Sequence, residues 1–74
     1  NYAIKKISEN IYNLTCLNQN SIDKIEVLDL MGRTIKANLN AISLCSVNIE
    51  FLNKGQMLIR FELNGTPQLL RIHH

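Results

Sequence analysis

Two segments in the second half of the chain carry an apolar residue at every second position, with Leu58 the one apolar residue in the opposite phase, and this pattern constrains the fold more than any other feature. Residues 45–51 read CSVNIEF and residues 56–63 read QMLIRFEL. A two-residue period places alternate side chains on opposite faces of a β-strand, so that one face enters the core and the other meets solvent. Cys45–Phe51 and Gln56–Leu63 are therefore predicted strands. Their predicted inward side chains are Cys45, Val47, Ile49, Phe51, Met57, Ile59, Phe61 and Leu63.

The dipeptide Asn64-Gly65 follows the second of these strands immediately. Asn and Gly tolerate the positive φ that both central residues of a type I′ turn require, so this pair is a strong signal for a two-residue hairpin. The segment Thr66–Ile72 is therefore predicted to return as an antiparallel strand. Pro67 has no backbone N–H to donate, and we expect it near the start of that strand or on a sheet edge.

The remaining chain is interpreted as further short strands separated by turn residues, among which Asn is frequent. These segments are Ala3–Ser8, Asn10–Leu17, Ile22–Leu30 and Thr34–Leu39. The polar stretch 18–21 is predicted to be a loop and Ala41–Leu44 one short turn. No segment has the sustained 3.6-residue period of a helix. About seven short strands favour an all-β fold, a small Ig-like antiparallel β-sandwich.

The chain is short, and its charge is low and dispersed. Its 74 residues suffice for one domain, 1–74, with little surface left to line a deep pocket. The formal net charge is +2, and Lys5-Lys6 is the only adjacent basic pair. Nucleic-acid binders usually concentrate basic residues on one face and add exposed aromatic rings. Of the aromatic residues, only Tyr2 is predicted to be exposed, so nucleic acid is not an expected partner.

The sequence carries no membrane signal. No stretch approaches the ~18 apolar residues that a membrane-spanning helix needs. The first ten residues, NYAIKKISEN, lack the apolar region of a secretory signal peptide. The chain is therefore expected to be either intracellular or a fragment whose targeting signal lies elsewhere, and the missing initiator Met favours a fragment.

No residue pattern predicts catalysis, a cofactor or a metal site. Cys16 and Cys45 match no zinc spacing and fall on the apolar phase of their strands, so buried free thiols are expected, with a disulfide left open. The histidines His73 and His74 lie at the C-terminal end, where residues usually fray and cannot hold a catalytic base in place. They are either native or the remnant of a purification tag. The protein is not expected to be an enzyme.

Residues 27–36, VLDLMGRTIK, place Asp, Gly and Arg between two strand-like runs. Asp29 is predicted to accept hydrogen bonds from backbone N–H groups of an Asx-type turn. Gly32 is predicted to supply the left-handed backbone position of that turn. Arg33 is predicted to pair with Asp29 across it, a weak interaction when exposed.

Three segments, taken in order, carry a resemblance to a known family. They are Lys24–Arg33 (KIEVLDLMGR), Val47–Phe61 (VNIEFLNKGQMLIRF), and the Asn64-Gly65 turn with a last strand that bears Arg71. This order resembles the C-terminal sorting domain of type IX secretion system cargo proteins over residues 10–72. In that family a strand and turn, I-x-[IV]-[YF]-[DN]-[LM]-x-G-[RK], precede a Leu-x-x-Gly-x-Tyr segment and a closing hairpin. The matching residues are Ile25, Val27, Asp29, Leu30, Gly32, Arg33, Leu52 and Gly55.

The chain also departs from the family pattern. Leu28 stands where the family usually has an aromatic residue, and Met57 stands where it generally has Tyr. The Pro-Asn-Pro segment of the family's first strand is absent. These differences bear on the contacts that those family residues make.

The resemblance implies a secretion signal rather than an enzyme. It implies that the domain ends a larger secreted protein of a Gram-negative bacterium and directs it through the type IX machinery, from the periplasm across the outer membrane. A sortase-like surface peptidase would then remove the domain, leaving the cargo on the cell surface or secreted. The candidate recognition and turn residues are Asp29, Gly32, Arg33, Gly55 and Arg71. An oxidising periplasm would favour a Cys16–Cys45 bond.

Two alternatives remain open at this point. One is an Ig-like accessory or carbohydrate-binding module of an extracellular enzyme, which would normally present exposed aromatic rings to sugars. The other is the surface through which a partner would dock. Both the loops of a sandwich and its free strand edges serve as recognition surfaces. Free edges also leave a homodimer open.

Overall fold

The computed structural model describes residues 2–17 and 20–74, so the predicted loop at 18–21 lies partly outside the described residues. The described residues form seven β-strands. In chain order they are β1 (Tyr2–Lys6), β2 (Ile11–Cys16), β3 (Ile22–Leu28), β4 (Ala37–Ser43), β5 (Ser46–Phe51), β6 (Gln56–Leu63) and β7 (Thr66–His73). Within these two ranges, no helix is long and apolar enough to cross a bilayer.

The strands build two antiparallel sheets. A four-stranded sheet has the order β1-β2-β5-β4, and a three-stranded sheet has the order β3-β6-β7. Lettered in chain order, these are sheets A-B-E-D and C-F-G, the arrangement of a constant-type immunoglobulin sandwich. The prediction of a small, all-β, Ig-like antiparallel sandwich of about seven strands is confirmed.

The core lies between the sheets and contains six of the eight side chains that were predicted to face inward, whereas Cys45 and Leu63 are only partly buried. It consists of Leu14, Val27, Val47, Ile49, Phe51, Met57, Ile59, Phe61 and Ile72. Burying one such side chain contributes about 1.5–3 kcal/mol relative to leaving it in water. The two strands with an apolar residue at every second position, β5 and β6, supply six of these nine residues, three from each sheet. These two strands therefore contribute most of the buried apolar side chains that stabilise the fold.

The fourth strand was predicted at Thr34–Leu39 and is found at Ala37–Ser43. Thr34 forms an isolated bridge with Leu28, and the N–H of Ile35 donates to the carbonyl of Val27 at 2.8 Å. These two residues therefore pair with the free edge of β3, in the other sheet, before the chain crosses to begin β4. The short turn predicted at Ala41–Leu44 is also wrong, because the strand continues through Ser43.

A bulge in β3 explains why its burial does not follow simple alternation. The pairing with β6 shifts register between Asp23 and Glu26, and Lys24 has a φ of 54°. Beyond the bulge, the adjacent residues Val27 and Leu28 are both buried, which simple alternation does not allow. The extra residue of a bulge reorients the side chains that follow it, so a single period cannot describe this strand.

The first strand ends earlier than predicted, at Lys6 rather than Ser8. The N–H groups of Ile7 and Ser8 donate to the carbonyl of Ile11 at 2.9 and 3.3 Å, which turns the chain into β2. Tyr2 was expected to be exposed, and this was wrong. It is half-buried, and its ring meets that of Phe61 edge-on at 5.1 Å between centroids.

The connections between strands fall alternately at the two ends of the sandwich, because each strand reverses the direction of the one before. We call one end the motif end, formed by residues 7–10, 29–36 and 52–55 together with the C-terminal end of β7. We call the other the hairpin end, formed by the described parts of the connections after β2, β4 and β6. The two predicted sequence motifs both lie at the motif end.

Candidate recognition surface

The turn that follows β3 is organised by the carboxylate of Asp29. Its Oδ1 accepts hydrogen bonds from the backbone N–H groups of Met31 and Arg33, both at 2.9 Å. Its Oδ2 accepts a third from Nε of Arg33 at 2.8 Å. The backbone closes around this side chain, since the N–H of Asp29 donates to the carbonyl of Arg33 at 2.8 Å. The predicted Asx-type arrangement and the predicted Asp29–Arg33 pair are confirmed.

Gly32 provides the left-handed residue that the turn requires. Its φ is 85°, and its N–H donates to the carbonyl of Asp29 at 3.0 Å. A Cβ at this position would meet no atom within 4 Å. The preference for Gly therefore comes from backbone conformation alone, since positive φ is disfavoured for residues with a side chain.

The environment of Asp29 favours its charged form. The pKa of its carboxyl is lowered from the ordinary value of 3.8, first because the backbone N–H of Arg33 donates to it, and then through the Arg33 side chain and the N–H of Met31. Hydrogen bonds to a carboxylate stabilise the ionised form. The turn is thus maintained by a charge that is present at any pH near neutrality.

The second motif ends at Gly55, which pairs with the last residue of the chain. The N–H of Gly55 donates to the carbonyl of His74 at 3.0 Å, and the N–H of His74 donates back at 2.9 Å. The φ of Gly55 is 114°, a conformation that L-residues rarely adopt. This reciprocal pair extends the β6–β7 ladder by one position and brings the second motif beside the C-terminal residues.

His74 was predicted to fray, and this was wrong. Its Nε2 lies 3.0 Å from Oδ1 of Asn10, and its Nδ1 lies 3.2 Å from the hydroxyl of Tyr12. Because an amide oxygen can only accept, the neutral tautomer with hydrogen on Nε2 satisfies both contacts. The ring also meets that of Phe51 at 5.7 Å between centroids. His74 therefore joins the two sheets at the motif end.

Arg71 lies in the same row of the three-stranded sheet as the end of β3. In the strand register, Leu28 is opposite Leu58, and Leu58 is opposite Arg71. Arg71 thus stands one residue level from Asp29 and two strands away. Its Nε donates to Oε1 of Gln56 at 2.9 Å, and within 2–17 and 20–74 no carboxylate forms a salt bridge with it.

The structure therefore brings all five sequence-predicted residues to one end of the molecule. They are Asp29, Gly32, Arg33, Gly55 and Arg71. Among these five, hydrogen bonds in the described chain join only the three turn residues: Asp29 bonds to both Gly32 and Arg33. Gly55 and Arg71 are placed near them by the antiparallel register of β3, β6 and β7, and do not form one hydrogen-bonded cluster with the turn.

The exposure of four apolar side chains at the motif end was not predicted from the sequence. They belong to Ile7, Leu30, Met31 and Leu52. Met31, at the tip of the turn, is 80% exposed. Leu30 matches the family's first motif and Leu52 matches its second, yet both side chains are about half exposed and lie outside the core. Large apolar residues in a turn, outside any alternating segment, were the signal that would have revealed them.

The aromatic rings are all engaged inside the sandwich. Tyr2 packs edge-on against Phe61, and Tyr12 packs edge-on against Phe51 at 5.2 Å between centroids. These four residues are the complete aromatic set of the chain, apart from its histidines, and none of them is exposed. Sugar-binding surfaces usually stack an exposed ring on the ligand, so this arrangement does not favour the carbohydrate-binding alternative.

The cysteines lie at the hairpin end, far from the motif residues. Both are free thiols; Cys16 is buried as predicted, whereas Cys45 is only half-buried. Cys45 was predicted to face inward at the start of β5, but it lies in the turn before that strand. In the described part of the chain, no group of three or more His, Cys, Asp or Glu side chains is placed to hold a metal ion.

No protein-family model, curated protein or solved structure matches this chain.

Proposed function

We propose that this domain is a C-terminal sorting signal that directs an attached protein through a type IX secretion system. The proposal rests on the resemblance carried by the two sequence motifs. One structural observation supports it: the motif positions Leu30 and Leu52 are exposed at the same end of the sandwich, where burial in the core does not explain their apolar character. Exposed apolar residues on an otherwise polar end are typical of a protein-binding surface.

The motif end has the composition of a protein docking surface. Met31 and Leu30 lie in a turn that is fixed by Asp29, the exposed Arg33 follows them in the same turn, and the exposed Arg71 lies two strands away at the same end. A rigid turn presents its side chains with little loss of conformational freedom on binding. Apolar contacts surrounded by basic groups suit a partner with an apolar groove and an acidic rim.

In this proposal the partners act in sequence. The secretion machinery binds the folded domain in the periplasm and moves the attached protein across the outer membrane. A sortase-like peptidase at the cell surface then removes the domain. The domain itself performs no chemistry, and the motif end is the surface that the machinery reads.

The experiment is an export assay in a host that has the type IX machinery. A reporter with a signal peptide is fused ahead of residues 1–74, and its location is measured in periplasm, cell surface and medium. We expect the reporter to leave the periplasm. Retention of a folded fusion in the periplasm would count against the proposal.

A matched pair of variants tests whether the motif end is the surface that is read. Met31→Asp places a charge at the exposed tip of the turn, and we expect it to block export without lowering the Tm. Leu44→Asp makes the same change at a residue that is 83% exposed at the hairpin end, and we expect normal export. Equal export of both variants would exclude Met31 from recognition.

A further inference from the structure

The described residues offer one pair of nucleophilic side chains that the proposed function does not use. In the β2–β5 ladder Thr15 is opposite Ser46, so the next position of the same register places Cys16 opposite Cys45. The backbone follows this register, since the N–H of Cys16 donates to the carbonyl of Cys45 at 2.8 Å. The two cysteines are therefore direct cross-strand neighbours.

Cross-strand neighbours of this kind meet the main distance requirement of a disulfide. Directly opposite residues in an antiparallel pair that share a backbone hydrogen bond have Cα atoms about 5.5 Å apart. Disulfides join residues whose Cα atoms are usually about 4.4–6.8 Å apart. Both side chains lie on the same face of the four-stranded sheet, because opposite residues of a ladder share a face.

We propose that Cys16 and Cys45 form a redox site, in which a disulfide donor oxidises the dithiol to an intramolecular disulfide. The site lies at the hairpin end and does not depend on the proposed sorting function. The link would enclose residues 17–44, which contain β3, the Asp29 turn and β4. It would thereby join the end of β2 to the turn between β4 and β5, and the enclosed segment includes the passage of the chain through the three-stranded sheet.

The two thiols have different surroundings, and these assign their roles. Cys45 is half-buried, and its Sγ lies 3.5 Å from the hydroxyl of Ser43. That hydroxyl accepts the N–H of Cys45 at 3.3 Å, which leaves its own hydrogen available for the sulfur. Cys16 is buried, so Cys45 is the thiol that an external disulfide can reach. Cys45 is therefore the attacking thiol.

Cys16 is the second thiol of the pair. It is 3% exposed, and its Sγ donates to the backbone carbonyl of Asn20 at 2.9 Å. Burial, followed by the nearby Cys45, raises the pKa of the Cys16 thiol. A buried, protonated thiol is protected from external oxidants and reacts with a sulfur that is brought beside it.

The reaction is an ordinary thiol–disulfide exchange in two steps. Cys45 loses its proton, and its thiolate attacks one sulfur of a small-molecule or protein disulfide, forming a mixed disulfide and releasing one thiolate. Cys16 then gives up its proton and attacks Sγ of Cys45, which releases the second thiolate. The two protons pass to the released thiolates. The protein loses two hydrogens, and the donor disulfide is reduced to two thiols.

The test uses the purified protein with oxidised glutathione as the donor, followed by thiol alkylation and intact-mass measurement. We expect the wild-type mass to fall by two hydrogens, with no glutathione and no alkyl group attached. We also expect the Tm to rise by roughly 10 °C, because the link restricts the unfolded chain. A wild-type product that carries glutathione on both cysteines, or remains fully alkylated, would overturn the proposal.

Single variants test the assigned roles. Cys16→Ser leaves Cys45 alone, and we expect it to trap a glutathione mixed disulfide rapidly. Cys45→Ser leaves Cys16 alone, and we expect it to react at least tenfold more slowly while folded. Equal rates in two variants whose Tm shows them to be folded would overturn the assignment of Cys45 as the attacking thiol.

Discussion

The carboxylate of Asp29 accepts hydrogen bonds from both the backbone N–H and the side-chain Nε of Arg33, four positions later in the chain. One side chain thereby fixes the path of the turn and the orientation of the residue that follows it. Met31, which lies between them, is exposed because this network occupies the inner side of the turn.

Replacement of Asp29 separates its charge from its hydrogen bonds. Asp29→Ala removes all three side-chain acceptor contacts, whereas Asp29→Asn keeps an oxygen for the two N–H groups and loses the pairing with the Arg33 side chain. We expect the Tm to fall by about 5 °C in Asp29→Ala and by less in Asp29→Asn. Thermal unfolding followed by circular dichroism checks the order, and equal Tm values for wild type and Asp29→Ala would contradict it.

The same residue gives a pH dependence with a definite sign. Because the pKa of Asp29 is lowered in the folded state, its contribution is fully present above the ordinary value of 3.8 and is lost as pH falls through the lower folded value. The Tm difference between wild type and Asp29→Asn should therefore be constant near pH 6 and shrink below pH 3.8. A difference that persists unchanged in acid would show that the charge has no role.

The cost of replacing Gly32 should depend on how well the new residue adopts a positive φ and not on its size, since a Cβ would meet open space. We expect Gly32→Ala to cost about 1–2 kcal/mol in the free energy of unfolding, because positive φ disfavours L-residues. Gly32→Asn should cost less, since Asn tolerates this region, and Gly32→Val should cost most. Urea denaturation measures the series, and a Val variant as stable as the Asn variant would refute this explanation.

His74 should make folding weaker in mild acid. Burial, with smaller effects from Lys54 and Lys6, lowers the pKa of His74 from 6.5. A depressed folded pKa means that its contribution is present above 6.5 and is lost as pH falls through the lower value. We expect the Tm of wild type to decrease as the pH falls below 6.5. The variant His74→Gln should not show this decrease in Tm, whereas a variant of the exposed neighbour, His73→Gln, should still show it.

Asn64 has the left-handed backbone conformation of the β6–β7 turn, and its side chain contacts Ser21 in the connection between β2 and β3. Its φ is 52°, its Oδ1 accepts the N–H of Ser21 at 2.8 Å, and its own N–H donates to the carbonyl of Ser21 at 3.0 Å. Asn64→Gly keeps the conformation and loses the side-chain contact, whereas Asn64→Ala loses both. We expect Asn64→Ala to be the less stable by about 1 kcal/mol. Chemical denaturation of the two variants isolates the conformational part.

The edge strand β4 lacks the charged residues and proline that usually protect a sheet edge, and its one irregularity is a register shift between Ala41 and Ser43. Its sequence, ANLNAIS, contains neither charge nor proline, whereas β1 carries Lys5 and Lys6 and β7 carries Pro67 and Arg71. Unprotected edges pair with one another. We expect concentration-dependent dimers in sedimentation velocity, weakened by Leu39→Lys and not by Leu69→Lys on β7. A monomer at every concentration would contradict this prediction.

The fold was largely predictable because its central strands read as simple alternation. β5 and β6 are each flanked by a strand on either side and face one core, so a two-residue period describes Val47 or Ile59 correctly. The segment from Thr34 to Ser43 was not predictable in the same way. Thr34 and Ile35 pair with one sheet and β4 with the other, and no local pattern shows where a chain changes sheets.

The turn could be predicted from local chemistry, whereas the surface around it could not. Asp, Gly and Arg at this spacing specify an Asx-type turn within a few residues, and the contacts of Asp29 follow. The contact of His74 with Asn10 joins residues near opposite ends of the chain. Such a contact depends on the register of two sheets, which the sequence around His74 does not contain.

An odd number of antiparallel strands has a consequence for any protein joined to this domain. Tyr2 is opposite Cys16 at the hairpin end, whereas His74 lies beside Gly55 at the motif end. A polypeptide joined ahead of β1 therefore emerges at the hairpin end, opposite the end that carries Met31. The longest dimension of the domain is about 31 Å. Such a polypeptide leaves Met31 and its neighbours unobstructed, whereas one appended after His74 would emerge among them.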